Sequence, residues 1–149
     1  MTTLERSYAN WAPYLLSVAR VVAAALFMEH GTQKLFSFPA GPPSGPIELM
    51  SVAGLAGGLE FFGGFLLLIG LFTRPVALVL SGEMAVAYFL MHAPEGFWPL
   101  LNKGELAVLY CFLFLYISSA GGGAWSIDRM WLERGEGMVQ APTERWRAA

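Results

Sequence analysis

The sequence predicts an all-α membrane protein: a four-helix transmembrane bundle with both termini cytoplasmic and a short amphipathic C-terminal segment. Three observations carry this. Of 149 residues, 56% are hydrophobic and 13% charged, against about 25% charged in a soluble domain. Mean hydropathy is +0.53. Apolar stretches near the ~20 residues that cross a bilayer recur along nearly the whole chain. A soluble helical protein of this composition would lack the polar residues to coat its surface.

Residues 1–13 read as a polar N-terminal lead, 14–132 as one membrane domain, and 133–149 as a mobile polar tail. The first span covers 14–36, with Pro13 suited to its first turn. It is too long for a signal-peptide core and reads as a retained helix. Residues 37–46 hold Pro39, Gly41, Pro42, Pro43, Gly45 and Pro46, so a loop follows. The second span, 51–72, carries Gly54, Gly57, Gly58, Gly63 and Gly64, a smooth side for close helix approach. Thr73-Arg74-Pro75 makes a turn, and a third span covers 76–92. The loop 93–99 holds Trp98. A fourth span, 104–120, stops at Gly121-Gly122-Gly123, and 125–132 is a short amphipathic piece.

Orientation follows from the basic residues flanking the spans. One side carries Arg6, Arg74, Arg129 and Arg134, with Arg145 and Arg147 further along. The other carries Lys34 and Lys103. The first side, which holds both termini, is therefore expected to be the cytoplasmic face. Trp11, Trp125 and Trp131 mark that interface and Trp98 the opposite one.

Composition also excludes function classes. A net charge of −2 gives no basic surface for nucleic acid. The single cysteine, Cys111, forms no intrachain disulfide and rules out dithiol chemistry by this chain alone. Nucleophilic triads, phosphate loops and dinucleotide fingerprints are absent.

Ionisable groups inside a membrane are expensive and mark function or register. At about 100° per residue, Arg20, His30 and Lys34 share the inward face of the first span, whereas Glu29 points away. By depth, Arg20 is level with Glu83 of the third span, and a structural ion pair between them is expected. A second layer lies toward the outer surface: His30, Lys34, Glu60, His92 and Glu105. These residues are the candidates for a polar pocket. No His-x-x-x-His spacing supports a metal site, and no metal is expected. A proton relay has the right residue types in His30 and Glu60 but no continuation. A quinone or similar carbonyl ligand needs a His or Lys donor beside an apolar, aromatic slot, and His30 and Lys34 with Phe27, Phe61 and Phe62 offer one.

His30-Gly31-x-x-Lys34, Glu60-x-x-Gly63-Gly64, Gly70-Leu71-x-Thr73-Arg74-Pro75 and the late glycine stop before Ser126-Ile127-Asp128 appear in this order between Leu15 and Asp128. In these motifs the chain resembles the DoxX family of small bacterial membrane proteins. The resemblance implies a four-helix membrane bundle. It also implies kinship with a subunit of a thiosulfate:quinone oxidoreductase and with members associated with redox stress, thiol homeostasis and quinone or catechol resistance. The expected function is that of a membrane subunit or accessory of a quinone-linked redox system, with a membrane or peripheral redox partner. Two alternatives stand beside it: a non-enzymatic scaffold whose polar layer only fixes packing, and a small transporter that works as a homo-oligomer.

Overall fold

Thr2 and Glu5 start the first helix well before the expected position. The computed structural model describes residues 2–42 and 45–140. Pro43 and Ser44 of the expected loop, and 141–149 of the expected tail, lie outside the described residues. Helix α1 (Thr3–Phe36) opens with a capping box. The Glu5 amide donates to Thr2 Oγ1 at 3.3 Å, and the Thr2 amide donates to Glu5 Oε2 at 2.8 Å. Both amides would otherwise be left unpaired at a helix start. Pro13 therefore sits inside α1, where its carbonyl accepts from Ser17 Oγ at 2.9 Å and from the Ala124 amide at 3.0 Å.

The described residues are helical with no strand. Helix α2 (Val52–Ile69) contains a π-helical turn at Leu59–Gly63. Helix α3 (Thr73–Glu95) ends in a π turn, Tyr88–His92, and a 3₁₀ turn, Ala93–Glu95. Helix α4 spans Glu105–Ala120, and α5 spans Ile127–Gln140, past the expected end at Leu132. By length and composition α1, α2 and α3 are each able to cross a membrane. Helix α4 is a shorter apolar helix of 16 residues, about 24 Å at 1.5 Å per residue.

Apolar side chains form both the core and most of the outward surface. Ser17, Arg20, Glu60, Thr73 and Ser81 are buried, while Val22, Leu26, Phe62, Phe89, Leu109 and Phe112 are exposed. Apolar side chains facing outward and polar ones inward suit a hydrocarbon solvent. Helix α1 packs along α2, and α3 packs most extensively on α4. The two pairs meet through Phe27, whose ring centroid lies 5.2 Å from that of Tyr110 and 4.9 Å from that of Phe114. Leu67 and Leu80 complete this core. Backbones of α1 and α2 come close at Gly31. A Cβ there would lie 2.5 Å from the Phe61 nitrogen and 2.9 Å from the Gly57 oxygen.

Arg20 ties one end of the molecule together. Its guanidinium donates to the carbonyls of Gly122 (2.9 Å), Leu68 (2.6 Å), Trp125 (2.5 Å) and Leu67. Leu67 and Leu68 end α2, where carbonyls lack partners and the helix dipole favours a cation. The expected Arg20–Glu83 ion pair is thus corrected: every Arg20 bond goes to backbone. The depth count failed because Arg20 is level with the Gly70 turn. Glu83 lies ten residues into α3 from Thr73, about 15 Å deeper. At the same end Asp128 accepts from the Phe72 and Thr73 amides, both at 2.8 Å, and caps α3. Arg74 donates to the Ser118 and Ser119 carbonyls that end α4. Trp11, Tyr14 and Trp125 stack edge-on nearby.

Candidate functional site

The far end of α1 and the π turn of α2 supply the site. Lys34 lies in the last turn of α1, and Glu60 lies on the π turn. A π turn inserts one residue into a helix and re-aims its side chains. Gly57 lets Lys34 pass closely, since a Cβ at Gly57 would lie 2.8 Å from Lys34 Cβ. Lys34 Nζ reaches Glu60 Oε1 at 2.5 Å, with the Glu60 side chain 4% exposed and that of Lys34 26% exposed. This charge-assisted bond joins α1 to α2 in an apolar surrounding, where it is strong. The other carboxylate oxygen, Oε2, is buried without a hydrogen-bond partner among the described residues.

His30 stands one turn before Lys34 but is exposed, so the expectation that it faces inward is corrected. Its ring lies edge-on to Tyr110, with centroids 6.5 Å apart. The basic groups whose fields reach Glu60 are Lys34, more strongly, and His30. Glu29 is exposed on the other side of α1.

Glu83 is the group that sequence reasoning misplaced. Both of its carboxylate oxygens are shielded and have no hydrogen-bond partner among the described residues. The charges that reach it are those of Glu60 and Lys34. Lys34 and Glu60 are directly paired, and Glu83, on a third helix, lies within the reach of their fields. The available cue was Arg74, whose level matches that of Arg20 and fixes Glu83 as the deeper residue.

His92 and Glu105 are placed elsewhere. His92 ends the π turn of α3, where its Nδ1 lies 3.0 Å from the Asn102 carbonyl and its ring stacks on Tyr88. It belongs to a network that shapes the loop between α3 and α4. There the buried Asn102 donates to the Gly96 carbonyl at 2.7 Å and accepts from the Gly104 amide at 2.9 Å. Glu105 is exposed on the first turn of α4, where a helix start favours an anion. Of the five expected residues, Lys34 and Glu60 are paired with each other, His30 lies one turn from Lys34, and His92 and Glu105 sit at the ends of the loop between α3 and α4. Among the described residues, no three His, Cys, Asp or Glu side chains converge to hold a metal ion.

Beside this cluster α2 and α3 pack loosely, and an apolar groove of about 730 Å³ opens between them. Leu55, Leu59 and Phe62 line it from α2, and Val76, Val79 and Leu80 from α3.

Comparisons with known proteins agree with a membrane chain. The family model described as DoxX matches residues 15–93, a stretch that contains Lys34, Glu60 and Glu83. An uncharacterized protein of Haemophilus influenzae is 41% identical over 143 residues, covering 90% of this chain and 100% of that one. The inner membrane protein YqjF of Escherichia coli is 34% identical over 122 residues, 76% of this chain and 88% of that one. The uncharacterized membrane protein Rv3486 of Mycobacterium tuberculosis is 30% identical over 140 residues, 82% of this chain and 83% of that one. No solved structure matches.

Proposed function

The chain belongs to the DoxX family and is an integral membrane protein; from that premise we propose that it binds a quinone or similar carbonyl ligand as a membrane subunit or accessory of a redox system. One observation carries the reading. A directly paired lysine and glutamate lie in an apolar surrounding, and an imidazole stands one helical turn away. Groups of this kind inside a membrane are costly to bury and are found where ligands or protons are handled. His30 and Lys34 are the donors for a ligand oxygen, and Glu60 is the titratable acceptor that holds Lys34 in place. His92 and Glu105 shape the outer loop. A membrane or peripheral redox partner completes the system.

In this reading α4 is a fourth span and residues 14–132 form one membrane domain. Both termini face the cytoplasm, and the protein resides in the bacterial plasma membrane with the pocket in its outer half. The clustering of Arg20, Arg74, Asp128, Trp11 and Trp125 at one end supports this orientation.

The test is equilibrium binding of decylubiquinone to the purified protein in lipid nanodiscs, with protein-free nanodiscs as blank. The wild type binds, and His30→Ala weakens binding about tenfold, the loss of one well-placed hydrogen bond. Equal binding by both, or by neither, removes the reading.

A second reading has its own observation. Lys34 and Glu60 bridge α1 and α2 directly, which is also what a packing clamp in a scaffold protein does. Replacing both by methionine discriminates: a scaffold keeps its function and gains stability, whereas a ligand site loses binding.

A further inference from the structure

Helix α1 outruns the bundle it belongs to. The Ala124 amide, just past the glycine stop of α4, donates to the Pro13 carbonyl at 3.0 Å. Pro13 is therefore level with the end of that span. Helix α1 begins at Thr3, about 15 Å further out at 1.5 Å per residue. A helical stretch this short is marginal in water and draws its stability from packing an apolar face.

Such a face is present. At about 100° per residue, Leu4, Tyr8, Trp11, Leu15, Val18 and Val22 fall within about 40° of one line. Ser17, Arg20 and Phe27, which face the bundle, lie on the opposite side of α1. The spacing alternates between four and three residues, the a/d pattern of a coiled-coil seam. Leu4, Tyr8, Trp11 and Leu15 are 69, 74, 64 and 63% exposed, and Val18 and Val22 are half-exposed. No described residue covers the stripe.

Lipid covers Leu15, Val18 and Val22 as well as protein does. Leu4, Tyr8 and Trp11 lie past the end of the bundle, where burying apolar surface is favourable. Two copies of the chain inserted the same way in one bilayer present their α1 helices parallel and at equal depth. Each seam residue then meets its own counterpart, as in a parallel two-stranded coiled coil. Ser7, Ala12 and Ala19 beside the seam are small and uncharged, so the helices can approach closely. The flanking charge, Glu5, is held in the helix cap, and Tyr14 is turned to Trp125. The six side chains expose on the order of 700 Å² per copy, close to the ~800 Å² that a specific interface takes from each partner. The next seam positions, Ala25 and Glu29, end the apolar run.

We propose that α1 pairs with α1 of a second copy along this stripe, making the protein a parallel dimer joined on the face opposite its own bundle. The pairing leaves Lys34 and Glu60 untouched and does not rest on the carbonyl-ligand reading.

The experiment is cysteine cross-linking of the full chain in isolated membranes, in a Cys111→Ala background with copper phenanthroline as oxidant. Leu4→Cys, Tyr8→Cys and Trp11→Cys yield a disulfide-linked dimer. Arg6→Cys, Ala9→Cys and Asn10→Cys, which lie on the other side of the helix, yield little. Adding Leu4→Glu and Tyr8→Glu to Trp11→Cys sets like charges face to face, in residues that suit a helix start, and lowers the Trp11→Cys cross-link about tenfold. Absence of cross-linking, cross-linking equal at all six positions, or a Trp11→Cys cross-link that survives both glutamates overturns the proposal. One of the first two is the outcome if the bilayer surface or a different protein covers the stripe.

Discussion

Lys34 and Glu60 show how a charge is made tolerable in an apolar setting. Each compensates the other, and removing one leaves the other buried alone. Lys34→Met or Glu60→Met is expected to cost about 3–5 kcal/mol, while the double substitution recovers most of that loss. Thermal unfolding in detergent checks this, and additive losses would contradict the pairing. Arg20 works differently, because its partners are carbonyls. Arg20→Leu strands the oxygens of Leu67, Leu68, Gly122 and Trp125. It is expected to cost about 3 kcal/mol or more, read in the same unfolding assay. The Lys34–Glu60 contact was legible in the sequence, since helical phasing turns Lys34 inward and Glu60 toward the glycine side of its helix. The partners of Arg20 were not legible. Backbone carbonyls have no sequence signature, and counting depth from Tyr14 set Arg20 level with the wrong residue.

Helix ends decide much of the architecture. Asp128, remote in sequence, caps α3 through the Phe72 and Thr73 amides, a contact that brings α5 against the start of that helix. Asp128→Ala is expected to lower stability by about 1–2 kcal/mol, as loss of a helix cap does. An unchanged melting temperature would argue against the cap. At the α1–α2 contact, Gly31→Ala places a methyl against the Phe61 and Gly57 backbone. It is expected to destabilise by about 1–3 kcal/mol through overpacking and to loosen the Lys34–Glu60 contact one turn away. The early start of α1 was readable from Thr2 and Glu5 as a capping box, but Pro13 drew the boundary inward. The π turns at Leu59–Gly63 and Tyr88–His92 have no counterpart in a period-based reading, which assumes one regular helix throughout. His92 ends the second of these turns, and its ring meets the Asn102 carbonyl.

The outside of the molecule is apolar, and a few polar side chains are buried within an apolar core; the membrane character was plain from composition. The ends of the molecule differ. One gathers Arg20, Arg74, Asp128, Trp11 and Trp125, and the other holds the paired charges. Fluorescent-protein and alkaline phosphatase fusions are expected to place both termini in the cytoplasm. Termini on opposite sides would remove α4 as a fourth span. The separation of α2 from α3, which opens the groove, was not visible in the sequence, because two equally apolar helices do not reveal whether they face each other or lipid. The account depends most on Glu60 being the functional carboxylate, rather than Glu29 beside His30. Decylubiquinone binding to Glu60→Gln and Glu29→Gln in nanodiscs tests this most directly. Glu60→Gln is expected to lose about tenfold in affinity and Glu29→Gln to bind like the wild type; the reverse order would contradict the site described here.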